Sequence, residues 1–304
     1  MNLAHLHLLL NHVPTIGFAF GIGLLGVSLI RDSEDLRRAS WVVFFGVALV
    51  AIPTYLSGDA ARFILKAQSG LAEDVVTAHQ NAAMLALILM EIVGLIGWLA
   101  LWRFRRWHQP AVLVLSIVAF ALMARAANIG GQIHHPEILG AGASAYAPVW
   151  PSPATMGAAF VLDNPWVWPI CEVLHFVGLC LLFGVMLLVN LRMAGFINGV
   201  PLADVNRLLP WAVAGLGINI ITGMLFFLAA PEQYTQNGAF AWKMGLVLLG
   251  GLSLLYPTMF DQEHASTPDM LHAAITRKLI ATCSLVIWIG VIFFGRFLPY
   301  LGME

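Results

Sequence analysis

The chain reads as an all-α integral membrane protein with eight transmembrane helices forming two four-helix bundles. Three observations predict this. Of 304 residues, 60% are hydrophobic and 10% charged, with a mean hydropathy of +0.85, whereas soluble domains carry about 25% charged residues. Eight runs approach the ~20 apolar residues that cross a hydrocarbon core; they lie near 14–30, 41–57, 80–102, 111–130, 167–190, 206–230, 240–260 and 279–301. Only one long connection occurs, rich in Gly, Ala and Pro, and it follows the fourth run. It separates a histidine-rich membrane domain (1–140) from a second membrane domain (166–304), with 141–165 as the link.

Taken in order, the first run opens on "LHLLLNHVPT". Pro14 disfavours helix at Val13 and is at home in a first helical turn, so the first helix is expected to start near Pro14, with His5 and His7 on a preceding segment. The glycines of "GFAFGIG" (Gly17 to Gly23) are spaced for close helix packing within a span. The second run closes at "LSGDAARF", where Asp59 reads as a helix cap or as a carboxylate orienting an imidazole. His79 opens the third run, which also holds Glu91. The fourth contains Arg125 and closes on His134 and His135. In the fifth, "PICEVLHFVG", Glu172 and His175 are three apart and share a helical face. The sixth ends in "AAPEQY"; the seventh opens with "AFAWKMG", whose Lys243 is expected to snorkel to the interface. Similarity between the halves is too weak to read as a repeat. Cys171, Cys180 and Cys283 lie in apolar runs without metal-ligand spacing and read as small buried hydrophobes.

Lys and Arg set the orientation. Arg31, Arg37, Arg38, Arg103, Arg105, Arg106, Arg192, Arg207, Arg277 and Lys278 fall on one side, against Arg62, Lys66, Lys243 and Arg296 on the other. The positive-inside rule makes the first side cytoplasmic, so both termini and the long connection are expected outside, in the periplasm if the membrane is a bacterial inner membrane. No Lys or Arg precedes the first run and no A-x-A site follows it, so a cleaved leader is not expected. Nothing in the charge pattern suggests nucleic acid.

On this topology His5, His7, His12, His79, His134 and His135 converge on the outer end of the first domain. His108, His264 and His272 fall in cytoplasmic loops and read as solvated. A single interfacial imidazole is usually a hydrogen-bonded filler, but several at one end of a bundle suit a haem iron or a transition metal. His134 and His135 point about 100° apart and cannot both face one iron. The expected ligands are His12 first and His7 second, with His79 and one of His134 or His135. An unbroken helix would put His5 and His12 roughly 10 Å apart in height, too short for stacked haems, so one haem b or two side by side are expected. Arg125 is placed for a haem propionate or for a pair with Glu91. Glu172 and His175 form a deeper site, read as a haem ligand with a partner on another helix, a quinone site in which His175 donates to a carbonyl oxygen, or a hydrogen-bonded structural pair.

The motifs "LHLLLNHVP" (His7, His12, Pro14), "AHQNAAML" (His79) and "NIGGQIHHPEI" (Gly130, Gly131, His134, His135) make residues 3–140 resemble a bacterial four-helix membrane domain of unknown function. Through "ICEVLHFVGLCLLFGVMLLVNLRMAGF" and "ITGMLFFLAAPEQYTQNGAFAWK", residues 166–301 are similar to membrane domains related to copper resistance protein D. Both resemble b-type cytochromes in general design, and that likeness implies haem binding.

The expected function is therefore that of a membrane b-type cytochrome, an electron-transfer subunit of an oxidoreductase. It would carry electrons between a periplasmic redox protein or cytochrome c and the quinone pool, with other membrane subunits as possible partners besides the lipid bilayer. In this reading His12, His79, His135 and His175 are the metal ligands. Copper or other metal transport is the second reading, with the outer histidines as entry ligands; a structural anchor for a periplasmic enzyme is the third.

Overall fold

The structure is a computed structural model that describes residues 3–66, 73–134, 153–259 and 270–301. Among these residues all regular structure is helical, and eight helical segments are long and apolar enough to cross a membrane. The chain divides into two compact units, Met1–Gly157 and Ala158–Glu304. The boundary falls inside the expected connection, within a short apolar helix that the Gly/Ala/Pro-rich composition concealed, α6 (Pro153–Leu162).

Unit 1 contains α1 (Leu3–Leu10), α2 (His12–Arg31), α3 (Glu34–Lys66), α4 (Glu73–Trp102) and α5 (His108–His134). The segment before Pro14 is helical too. The only interruption is at Asn11, whose N–H still reaches the His7 carbonyl at 2.9 Å. Pro14 is tolerated because it stands in the first turn of α2, where backbone N–H groups need no intrahelical acceptor. His5 to Arg31 therefore form one crossing.

Helix α3 packs on α2 and α4, α4 on α5, α5 back on α2, and α1 lies along α3, which closes a four-helix ring. Phe18, Phe44, Met90 and Trp98 are fully buried inside it, and Phe18 meets Phe44 edge-on at 5.1 Å. Glycines allow the approach, as the first run suggested. A Cβ on Gly17 would stand 2.5 Å from Val47, one on Gly21 2.7 Å from Phe44, and one on Gly94 2.6 Å from Ala48. Gly23, on the other face, has open space.

Unit 2 contains α7 (Val167–Ala194), α8 (Leu202–Asn206), α9 (Leu209–Ala229), α10 (Pro231–Thr235), α11 (Gly238–Ser253), α12 (Leu255–Met259) and α13 (Met270–Leu301). Helix α7 packs on α9 and α13, and α13 on α11. The α7–α9 crossing is backbone against backbone, since a Cβ on Gly215 would lie 2.5 Å from the Gly178 carbonyl oxygen. Polar ties hold the other contacts. Asn190 Nδ2 donates to Ser284 Oγ at 3.1 Å, and Asn237 caps α11 through the Ala239 N–H while donating to the Leu298 carbonyl at 2.8 Å. Helix α7 ends in a left-handed Gly195 (φ 90°), a conformation that favours glycine. The cysteines are all free thiols, but only Cys171 is buried. Cys180 and Cys283 lie on exposed faces of apolar helices, where a thiol behaves as a small hydrophobe toward lipid.

Candidate functional site

Three histidines are held in the same way. His7 of α1 donates from Nδ1 to the Thr54 carbonyl of α3 at 2.9 Å, and His79 of α4 donates from Nδ1 to the Ala126 carbonyl of α5 at 2.8 Å. A carbonyl can only accept, so the proton sits on Nδ1 and the lone pair on Nε2. In unit 2, His175 of α7 meets Thr222 Oγ1 of α9 at 2.7 Å, and that hydroxyl also lies 2.7 Å from the Ile218 carbonyl. The Ile218 oxygen can only take the threonine's proton, so Thr222 accepts from His175 Nδ1–H. His175 therefore carries its lone pair on Nε2 as well.

In each case 47 residues separate the histidine from its partner. One turn beyond the partner stand Gly58, Gly130 and Phe226 respectively. A Cβ on Gly58 would lie 2.8 Å from His7 Cε1, and one on Gly130 2.9 Å from His79 Cε1. Each glycine thus lets an imidazole lie against bare backbone, the close approach that only glycine permits. The two hairpins of unit 1 thus carry the same device, with His7 and His79, Thr54 and Ala126, and Gly58 and Gly130 in matching places. Phe226 instead places its ring 5.8 Å from the His175 ring. In the α11–α13 hairpin, the residue as far before Phe294 as His175 is before Phe226 is Lys243. Its Cε lies 3.6 Å from where a Cβ of Gly295 would stand.

The other expected residues fall differently. His12 is exposed, and its Nδ1 meets the side-chain oxygen of its neighbour Asn11. It does not join the contact that His7 makes with α3. His5 is exposed. His134 ends α5; its side chain, together with the whole of His135 and His264 and the side chain of His272, lies outside the described residues. Arg125 is exposed, and among the described residues no ion pair joins it to Glu91, whose buried Oε1 has no hydrogen-bond partner. His108 is buried rather than solvated. Its Nδ1 accepts the Arg105 N–H at 3.0 Å, and its ring lies 4.2 Å from Trp107.

Asp59 is not a cap, because α3 continues to Lys66. It is buried and accepts from Gln80 Nε2 at 2.9 Å, while Arg62 Nη1 donates to Gln80 Oε1 at 2.9 Å and Arg62 Nη2 lies 3.7 Å from Glu73. This polar link between α3 and α4 begins next to Gly58 and was not foreseen beyond Asp59. Arg62 lies one turn beyond Gly58.

Around His175, Phe226 also contacts Trp168 (4.9 Å), and Trp168 Nε1 donates to the exposed Glu172 at 3.1 Å. Glu172 thus reaches the His175 corner through an indole and a phenyl ring. Lys243 leans on Gly295 of α13 and lies within electrostatic range of His175. Tyr234 sits in the short α10 between two spans. Burial, and then the Glu172 carboxylate, push its phenol above the usual value, so it keeps its proton. Among the described residues, no three His, Cys, Asp or Glu side chains gather as a metal site would require. Comparison with family models, with curated proteins and with solved structures finds no match.

Proposed function

We propose that unit 1 is a membrane b-type cytochrome domain that holds haem b through His7 and His79. The observation that carries this reading is the repeated device. Two imidazoles, one in each hairpin of unit 1, are each fixed by a backbone carbonyl 47 residues on, so that Nε2 has the ligating lone pair. A carbonyl acceptor at Nδ1 fixes the ring and makes the other nitrogen a better ligand. Haem iron takes four ligands from its macrocycle and needs only axial imidazoles from the protein, in keeping with histidines that come one per hairpin. Gly58 and Gly130 let the two imidazoles press onto backbone, each ring filling the place a Cβ would take. When bound, the group would supply a one-electron iron couple.

The chain's own residues do the rest. Thr54 and Ala126 orient the imidazoles, the glycines let them seat against backbone, and Arg62, one turn beyond Gly58, brings a cation suited to a carboxylate-bearing group. Arg62 replaces Arg125 in this role. The electrons would pass between a periplasmic redox protein, such as a cytochrome c, and the quinone pool of a bacterial inner membrane. The ten-to-four asymmetry of Lys and Arg favours that orientation. A reduced-minus-oxidised spectrum of protein purified from a haem-replete host tests the reading: a b-type band supports it, and bound copper without haem would replace it with metal transport.

A further inference from the structure

We propose that the His175 corner of unit 2 binds the hydroxyaromatic headgroup of a lipid-soluble quinol, with His175 Nε2 accepting the hydroxyl hydrogen bond. The inference deepens the electron-transfer reading, on which it rests for its biological sense but not for its geometry.

Three observations carry it. The first is the proton inventory: Thr222 gives its hydrogen to Ile218 and accepts from His175 Nδ1, so Nε2 is an acceptor. Among the described residues nothing hydrogen-bonds that atom. A hydroquinone offers O–H donors to such an atom, whereas a quinone carbonyl offers none.

The second is the substitution at the glycine step. Where unit 1 leaves backbone bare beside each imidazole, unit 2 has Phe226, which touches both His175 and Trp168. The imidazole there lies against a phenyl ring and not against backbone. Together with the indole, the phenyl offers aromatic walls against which a single flat ring can stack.

The third is access. On the same stretch of α7, Val173 and Phe176 are exposed at 62% and 67%. His175, half-buried between them in sequence, therefore stands beside a face that a bilayer would cover. A ligand dissolved in lipid reaches it sideways, without crossing the protein.

The chain also explains why this corner is not a second copy of the unit 1 site. In the other hairpin of unit 2 the side chain lying against a glycine is Lys243, on Gly295, and not an imidazole. An ammonium is a donor without a lone pair, so the pair of imidazole acceptors seen in unit 1 is not reproduced.

The test is equilibrium binding of a tritiated short-chain ubiquinol, kept anaerobic, to the full-length protein in lipid nanodiscs, with the oxidised quinone as the second probe. The wild type should bind the quinol saturably and more tightly than the quinone. His175→Phe should weaken quinol binding about tenfold or more, and Thr222→Val should weaken it several-fold by releasing the imidazole from its tautomer. Both variants should keep the wild-type helical circular dichroism, and Thr222→Val guards against a folding defect in His175→Phe. Equal affinity for the two probes, or quinol binding unchanged in both variants, overturns the proposal. So does the absence of saturable binding to the wild type. Because the readout is ligand binding, a protein that binds quinol but shows no haem band would refute the proposed function alone. One with a haem band and no quinol binding would refute this inference alone.

Discussion

In unit 1 a glycine stands one turn beyond each carbonyl that holds an imidazole, and in unit 2 the same step carries Phe226, 5.8 Å from the His175 ring. The helices around these positions differ in kind as well. In α3 and α4 the most apolar stretches are 67% and 56% buried, while no span of unit 2 exceeds 33%. Unit 1 thus has two helices surrounded by protein, whereas the spans of unit 2 are all about as open as α2 and α5. The comparison teaches that the histidine is the constant and the side chain one turn along the facing helix is the variable. A glycine there lets the imidazole press onto backbone, and a phenyl ring offers a stacking surface for a small flat group.

Several substitutions would break or sharpen this contrast. The largest effect is expected at the α7–α9 crossing of unit 2. Gly215→Val would drive a side chain into the Gly178 carbonyl and the Leu182 amide, backbone atoms that cannot rotate away. The cost should reach about 3 kcal/mol or more, read as a lowered unfolding temperature in detergent, whereas Gly23→Val in unit 1 meets nothing and should cost under about 0.5 kcal/mol.

Next comes the polar link between α3 and α4 of unit 1. Gln80→Leu removes the amide that joins Asp59 to Arg62 and should cost about 2 kcal/mol, the scale of hydrogen bonds to charged groups. A thermal shift no larger than that of an exposed-face control such as Ile88→Ala would show the link to be idle. Smaller again, Gly130→Ala should cost about 1 kcal/mol, because His79 must move from a Cβ that would stand 2.9 Å away. Its sharper readout is a changed haem band or midpoint potential. Gly223→Ala, with His175 at an ordinary 3.8 Å, should change neither stability nor spectrum measurably.

The eight crossings were legible because hydrophobic length is a property of the chain alone, and each observed span contains or nearly coincides with the expected run. The helix packing of Gly17 was legible too, since small residues within a span have few other uses. The site was only partly so. His79 was visible as an imidazole opening a span, but His12 outranked His7 because Pro14 was read as the start of the helix. The structure starts α2 at His12 and keeps α1 helical. Which imidazole docks then depends on the azimuth of α1 against α3, which no local pattern encodes. The interval of 47 residues from histidine to acceptor was present throughout. It escaped notice because the acceptors are backbone carbonyls in unit 1, and any residue type can supply one. Thr222 was the exception that a side-chain search could have found, three residues after Asn219 in an otherwise apolar helix. His108 misled for the opposite reason: a loop histidine among arginines reads as solvated until its ring nitrogen is seen capping a turn.

The central claim, that haem is held by His7 and His79 of unit 1 and not by His175 of unit 2, is tested most directly by the reduced-minus-oxidised haem spectrum of His7→Ala, His79→Ala, His12→Ala and His175→Ala, each normalised to purified protein. The account predicts that the first two lose the b-type band while the last two keep it at wild-type intensity. A band that survives in His7→Ala and His79→Ala, or that disappears in His175→Ala, would contradict it.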